Sequence, residues 1–120
     1  MISLCLPFPP SANRYWRVDK RGFVYTSEQA LDYRDMVAGA MMGAGYTKMA
    51  GQLAVCIELA PPDRRRWDLD NRIKQLLDAL QKAGAYDDDG QIVRIQATKL
   101  PPVRGGLCIV TIMEAGQCLS

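Results

Sequence analysis

Histidine is missing altogether from this sequence of 120 residues. That excludes Ser-His-Asp and Cys-His catalysis, histidine-ligated zinc and the usual neutral-pH acid/base group. Chemistry must then fall to carboxylates, lysines, tyrosines, a thiol or a bound metal. Long apolar runs are missing too, since none approaches the roughly 20 residues of a membrane span. The opening MISLCLPFPP has no basic start and its apolar stretch is broken by prolines, so no secretory signal is expected. A cytoplasmic protein with no membrane partner is the expectation. The four cysteines, Cys5, Cys56, Cys108 and Cys118, form no C-x-x-C pair. The first three lie in apolar, strand-like runs and read as small buried hydrophobes, while Cys118 near the tail reads as exposed. No repeat, linker or low-complexity segment divides the chain, and one domain over residues 1–120 is expected. The net charge is only +2, so bulk charge does not announce a nucleic-acid partner.

What is present is the composition of a soluble globular protein, 48% hydrophobic and 23% charged, with length enough for one core. Ile2 to Leu6 reads as a short strand. A proline-led polar loop follows, with a small hairpin around Lys20 to Gly22. Ser27 is a candidate N-cap for a helix carrying Ala30, Tyr33, Val37, Ala40 and Met41 at helical spacing, ended by Gly43 and Gly45. Residues 52–60, QLAVCIELA, read as a strand closed by Pro61 and Pro62. A second helix runs from about Asn71 to Ala83, with Ile73, Leu76, Leu77 and Leu80 as its apolar stripe and Gly84 as C′ residue. The strands QIVRIQATKL and GLCIVTIME then follow, joined by PPVRGG as a hairpin-like connection. The order β-α-β-α-β-β predicts an α+β domain with a mixed four-stranded sheet and two helices packed on one face.

Charge is distributed unevenly. Basic residues gather at Arg14, Arg17, Lys20 and Arg21 and again at Arg64, Arg65 and Arg66; acidic ones gather at Asp68 and Asp70 and at Asp87, Asp88 and Asp89. Asp70 is placed as the N-cap of the second helix, with Lys74 one turn on. Asp68, two residues earlier on an extended approach, can point to the same side as Asp70. Singly, each cluster has an ordinary explanation: a capping aspartate stabilises a helix by about 1 kcal/mol, and three aspartates before Gly90 make a turn. Together, in a chain without histidine, they suggest a Mg²⁺ site, because hard cations take carboxylate oxygens, water and substrate phosphate. An EF-hand is excluded: DLDNRIKQLLDA lacks its glycine and closing glutamate.

DLDNRIKQLLDALQKAGAYDDDGQI resembles the signature of the RusA-type Holliday-junction resolvases, roughly D-x-D-N-x-x-K-x-x-x-D-A-L … G-x-x-x-D-D-x-Q. PFPPSANRYWR resembles that family's proline-led Asn/Tyr/Arg segment, and TSEQALDYRD sits where a Tyr-Arg helix is expected. The resemblance spans nearly the whole chain in order and spacing. It implies a small α+β homodimer that cuts four-way DNA junctions with Mg²⁺ and no organic cofactor. Carried over, Asp68 and Asp70 match the paired carboxylates, Lys74 the motif lysine, and Asp88 and Asp89 the D-D of D-D-x-Q, with Gln91 setting the register. Asp68, Asp70 and Asp89 are then metal ligands, Asp88 a fourth candidate, and Lys74 a stabiliser of transition-state charge or a water-orienting group. Asp78 matches the helix aspartate. Trp67 departs from the pattern, because the family's basic run tends to continue up to the first aspartate.

In this reading the arginines hold phosphates while the aspartates hold a metal at the scissile one. Arg64, Arg65, Arg66, Arg14, Arg17 and Lys82 are the expected phosphate contacts, with Asn13 and Tyr15 added from the proline-led segment. Tyr15 and Trp16 are equally compatible with base stacking and with packing in a core or interface. Met36, Met41 and Met42 fit a core or, less readily, a dimer interface. A C2 dimer supplies two equivalent sites for symmetric cutting. The rival class is a non-catalytic branched-DNA-binding protein whose acidic cluster is structural.

Overall fold

The computed structural model describes residues 1–11, 16–18, 24–26 and 28–116, the two short middle segments by their backbone alone. Strand β1 (Ile2–Leu6) is followed by β2 (Trp16–Val18) and β3 (Val24–Thr26), helix α1 (Glu28–Ala44), strand β4 (Leu53–Ala60), helix α2 (Asp70–Lys82), and strands β5 (Ile92–Lys99) and β6 (Leu107–Glu114). β2 and β3 pair antiparallel as the expected hairpin, with Trp16 opposite Thr26. The other four strands form one mixed sheet in the order β1-β6-β4-β5. The α+β architecture and the β-α-β-α-β-β order of this sheet agree with the expectation. Ser27 and Cys118 lie outside the described residues.

The last two strands are not a hairpin. β5 pairs parallel with β4, whereas β6 lies antiparallel between β4 and β1. The link between them crosses the end of β4: Leu100 N–H donates to the Leu59 carbonyl (2.7 Å) and Val103 N–H to that of Pro61 (2.9 Å). Pro101 and Pro102 have no N–H to extend a ladder. Composition decides which strand is central. LAVCIELA carries a single charged residue, Glu58, and is almost wholly buried, while β5 carries Arg94, Gln96 and Lys99 and is exposed along most of its length, as suits an edge strand.

One face of the sheet is covered. Ile2, Leu4 and Leu6 align through the register with Ile112, Val110 and Cys108, and these with Val55, Ile57 and Leu59. Both helices pack on this face, α1 through Tyr33, Val37 and Met41 and α2 through Leu76, Ala79 and Leu80. Each fully buried leucine or isoleucine contributes about 2 kcal/mol. The opposite face carries Ser3, Cys5, Cys56, Glu58 and Thr111. Cys5 is therefore exposed and Cys56 half-buried, and only Cys108 is the buried hydrophobe expected of all three. Period-2 alternation sends Cys5 away from the side that Leu4 and Leu6 fill. Of the methionines only Met41 is core; Met36 and Met42 face solvent. Gly43 lies inside α1, and Gly45 at φ +72° ends it.

Two tyrosines bind their polar tips inside this core. Tyr33 hydroxyl donates to the Pro7 carbonyl (2.9 Å), tying α1 to the segment after β1, and Tyr86 hydroxyl donates to that of Leu77. Burial pushes both phenols up. It pushes the Cys108 thiol up to about 12, against the opposing effect of a hydrogen bond with Tyr33.

Candidate active site and nucleic-acid interface

α2 opens one residue earlier than the sequence suggests. Leu69, half-buried against the core, already has helical backbone angles (φ −61°, ψ −45°) and no side chain caps the helix. Asp70 is consequently the first helical residue rather than the N-cap. Its carboxylate makes no hydrogen bond or ion pair with any described residue, nor does the Lys74 ammonium. Asp70, Lys74 and Asp78, at i, i+4 and i+8, share one helix face with Ile73 and Leu77. Together with Asp89 these side chains line a cavity of about 310 Å³.

Asp89 comes from a different element and is placed by glutamines. A 3-10 turn at Asp89–Gln91 begins with Asp88 as cap, whose carboxylate accepts from Gly90 N–H (3.0 Å). That backbone N–H holds the Asp88 carboxyl below the usual carboxylate range, and a hydrogen bond with Asp89 adds to the effect. Gln91 Oε1 accepts from the N–H groups of Asp87 (2.9 Å) and Asp88 (3.0 Å), while its Nε2 donates to the carbonyls of Gly51 (2.9 Å) and Met49 (3.3 Å). Gln81 Oε1, from the last turn of α2, accepts from Asp89 N–H (3.2 Å). Lys48 pairs with Asp87 at 2.6 Å. The turn is thus bound to both α2 and the segment before β4, and Asp89 faces Asp70.

Three of the four expected catalytic residues therefore meet: Asp70, Lys74 and Asp89. Asp68 is exposed and outside the cavity. The alternation that puts Asp68 on the side of Asp70 requires an extended Leu69, and Leu69 is helical. Asp88 serves the turn as its cap. Among the described residues no three carboxylates or thiols gather closely enough to hold a metal ion by protein atoms alone. Two carboxylates with open valences on one cavity are nonetheless the donor set that Mg²⁺ ordinarily takes, with water and substrate phosphate completing its shell. The residues fit a hard divalent cation on those terms.

The basic residues divide. Arg64 is exposed. Arg65 is oriented by Asp63, its Nε and Nη2 both donating to Oδ2 (3.0 and 2.8 Å) and its N–H to Oδ1 (2.9 Å). These bonds hold the Asp63 carboxyl below its ordinary value. Arg66 makes no such bond to a described residue. Lys82 is exposed at the far end of α2, about 18 Å from Asp70 at 1.5 Å per residue. Asn13, Arg14 and Tyr15 lie outside the described residues, and Arg17 is described by its β2 backbone alone.

Beside the acidic cavity stands an aromatic cluster not apparent in the sequence. Phe8 and Trp67 meet edge to face, centroids 5.2 Å apart. Lys99 sits over the Trp67 ring at 4.5 Å and donates to the Trp67 carbonyl (2.8 Å); the Arg72 guanidinium lies 4.9 Å over Phe8 and donates to the Pro9 carbonyl (2.7 Å). Contacts spanning up to 64 residues leave no local pattern to read.

A family model described as Endodeoxyribonuclease RusA matches residues 7–113. The chain belongs to the RusA family. It is 44% identical over 119 residues to the crossover junction endodeoxyribonuclease RusA of Escherichia coli strain K12, covering 96% of each. The enzyme of the same name from Enterobacteria phage 82 is 44% identical over 118 residues, and that of Shigella sonnei strain Ss046 42% over 119, covering 95% and 96% of each pair. Parts of the RusA pattern take on a structural meaning here. Tyr33 of the Tyr-Arg helix anchors the proline-led segment, and its neighbour Arg34 pairs with Asp78 at 2.7 Å, clamping α1 to α2 at the rim of the acidic cavity. Gln91 of D-D-x-Q is the tie that holds the acidic turn.

Proposed function

We infer that this chain is an endodeoxyribonuclease that resolves four-way DNA junctions by hydrolysing phosphodiesters in two strands symmetrically, working as a Mg²⁺-dependent homodimer built from a single domain. The observation that carries the reading is the convergence of Asp70, Lys74 and Asp89 on one open cavity, in a chain of this family.

Hydrolysis adds negative charge to a phosphate already negative. A divalent cation held at this site would supply the neutralising charge and the activation of water. Asp70 and Asp89 would hold the cation, since both carboxylates line the same cavity. Asp68, within about 7 Å of Asp70 along the chain, would serve as a third ligand. Asp88 supports Asp89 through the turn it caps and offers a further oxygen. Lys74 stabilises charge on the phosphate oxygens. Arg64, Arg65, Arg66, Arg14, Arg17 and Lys82, with Asn13 and Tyr15, grip the phosphate backbone of the junction. Such sequence-independent contacts weaken as salt rises. Two copies related by a two-fold axis present two equivalent sites to the two strands.

The test is cleavage of a synthetic four-way junction beside matched linear duplex, with and without Mg²⁺, by the wild type and by Asp70→Asn. Paired cuts confined to the junction, lost without metal and lost in a variant that still binds, are the expected outcome. Tight junction binding with no cut under Mg²⁺ or Mn²⁺, across several junction sequences, would make the protein a binding module with a structural acidic cluster.

A further inference from the structure

Trp67 stands where the RusA pattern carries a basic residue, and the structure gives it a setting that packing alone does not require. Trp67 and Phe8 open on a second cavity of about 440 Å³, walled also by Pro61, Pro62, Arg66 and Arg72. Packing defects in protein interiors are about the size of a water molecule, whereas sites for small organic ligands run from about 300 to 1,000 Å³. The walls are preformed. Phe8 is held between Arg72 and Trp67, and a Cβ on Gly106 would approach the Phe8 Cβ to 2.8 Å, so that backbone packs directly behind the ring. Lys99 secures Trp67 from outside the cavity, through both its ring and its carbonyl.

The wall chemistry is that of a planar ring carrying a negative charge. Trp67, Phe8 and the prolines offer apolar and aromatic surface. Arg65 is matched by Asp63, but Arg66 has no hydrogen-bond or ion-pair partner among the described residues, and its guanidinium is available for an anion. Position sharpens the identity of the ligand. Trp67 immediately precedes Asp68, and Arg72 lies two residues beyond Asp70, so this cavity and the acidic one share the start of α2. At a branch point base stacking is already interrupted, which lowers the energy needed to take a base out of the duplex.

We propose that this cavity receives one unstacked nucleotide of the junction, adjacent to the scissile phosphate, with its base against Trp67 and its phosphate on Arg66. The proposal rests on the junction-nuclease reading and adds to it a site that holds a single unstacked base at the point of cutting.

The experiment is a thermodynamic cycle on binding, in Ca²⁺ so that the DNA stays intact. Junctions in which each nucleotide near the crossover is replaced in turn by an abasic residue are titrated with the wild type, Trp67→Ala and Trp67→Phe. Stacking by one aromatic side chain predicts that at one position base removal weakens wild-type binding about tenfold, and binding by Trp67→Ala less than about twofold. Trp67→Phe is expected to recover most of the coupling. In parallel, 5-iodouracil at the same positions is photocross-linked to the wild-type protein, which needs no variant to fold; attachment at Trp67 from that one position is expected. Wild-type binding with additive losses at every position, or cross-links that never reach Trp67, overturns the nucleotide cavity and leaves the nuclease reading standing. Wild type that binds no junction at all overturns both.

Discussion

Gln91→Glu is the most informative single change outside the acidic cavity, because it alters hydrogen-bond polarity while keeping shape. The amide makes four bonds, two accepted at Oε1 from Asp87 and Asp88 and two donated by Nε2 to Gly51 and Met49. A carboxylate preserves the first pair. It turns the second into oxygen facing two carbonyl oxygens at 2.9 and 3.3 Å. Two lost bonds at about 1 kcal/mol each, with added repulsion from those carbonyls and the neighbouring aspartates, predict a loss of about 3 kcal/mol at pH 7. Gln91→Ala loses all four bonds, but water replaces partners at this partly exposed turn, and about 2 kcal/mol is expected. The pH dependence separates the two. The introduced carboxyl is better accommodated protonated, so its folded-state pKa lies above the unfolded value of about 4.3. Its contribution is fully present below that value and is lost as pH rises through the folded pKa, so the deficit of Gln91→Glu shrinks towards pH 4 while that of Gln91→Ala does not follow it. Urea unfolding at pH 7, 5 and 4 measures this, with junction cleavage as the second readout because Asp89 rides on the same turn. Wild-type stability for Gln91→Glu at pH 7 would refute the role assigned to this side chain.

Other perturbations test the clamp and the core. The Arg34–Asp78 pair is 2.7 Å long with side chains 20% and 32% exposed, between the surface and buried regimes. A double-mutant cycle with Arg34→Ala and Asp78→Ala is expected to give about 1 kcal/mol of coupling in urea unfolding; a value below about 0.3 kcal/mol would remove the clamp. At high pH the buried Cys108 thiol, pushed up to about 12, binds its proton more tightly in the folded chain than in the unfolded one. Its contribution is full below about pH 9 and is lost as pH rises towards 12, at about 1 kcal/mol per pH unit, with the buried phenols of Tyr33 and Tyr86 steepening the fall. Thermal melts from pH 8 to 11 should decline, and Cys108→Ala should decline less steeply from a lower starting stability. An equal slope in the variant would count against the thiol.

Much of the site is legible in the sequence because it is local. Asp70, Lys74 and Asp78 share a face by helical periodicity alone, and the Leu76 and Leu80 stripe sets which face that is. The proposed two-carboxylate chemistry follows from residue types and from the absence of histidine, which leaves carboxylate oxygens as the donors these segments offer. The same local logic misleads at Asp68. Whether Asp68 and Asp70 point together depends on one backbone conformation, and Leu69 becomes helical because its side chain packs against a core formed by distant strands.

Element types could be read from the alternation of Ile2 to Leu6, the apolar run of β4 and the turn glycines, since each is a preference of a few neighbouring residues. Strand order could not. That β6 enters between β1 and β4 and leaves β5 at the edge is a choice among pairings distant in sequence, settled by which strand can be buried on both faces. Tertiary structure alone also decided that Gln91 carries Asp89 to Asp70, that Arg34 closes on Asp78, and that Trp67, Phe8, Arg72 and Lys99 make one wall. The ties from Gln91 to Met49 and Gly51, from Arg34 to Asp78 and among the four residues of that wall join residues 32 to 64 positions apart, and chain-local propensity has no term for them. Chemical capacity lay in the residue types and their helical spacing; convergence came only when the sheet brought the distant segments together.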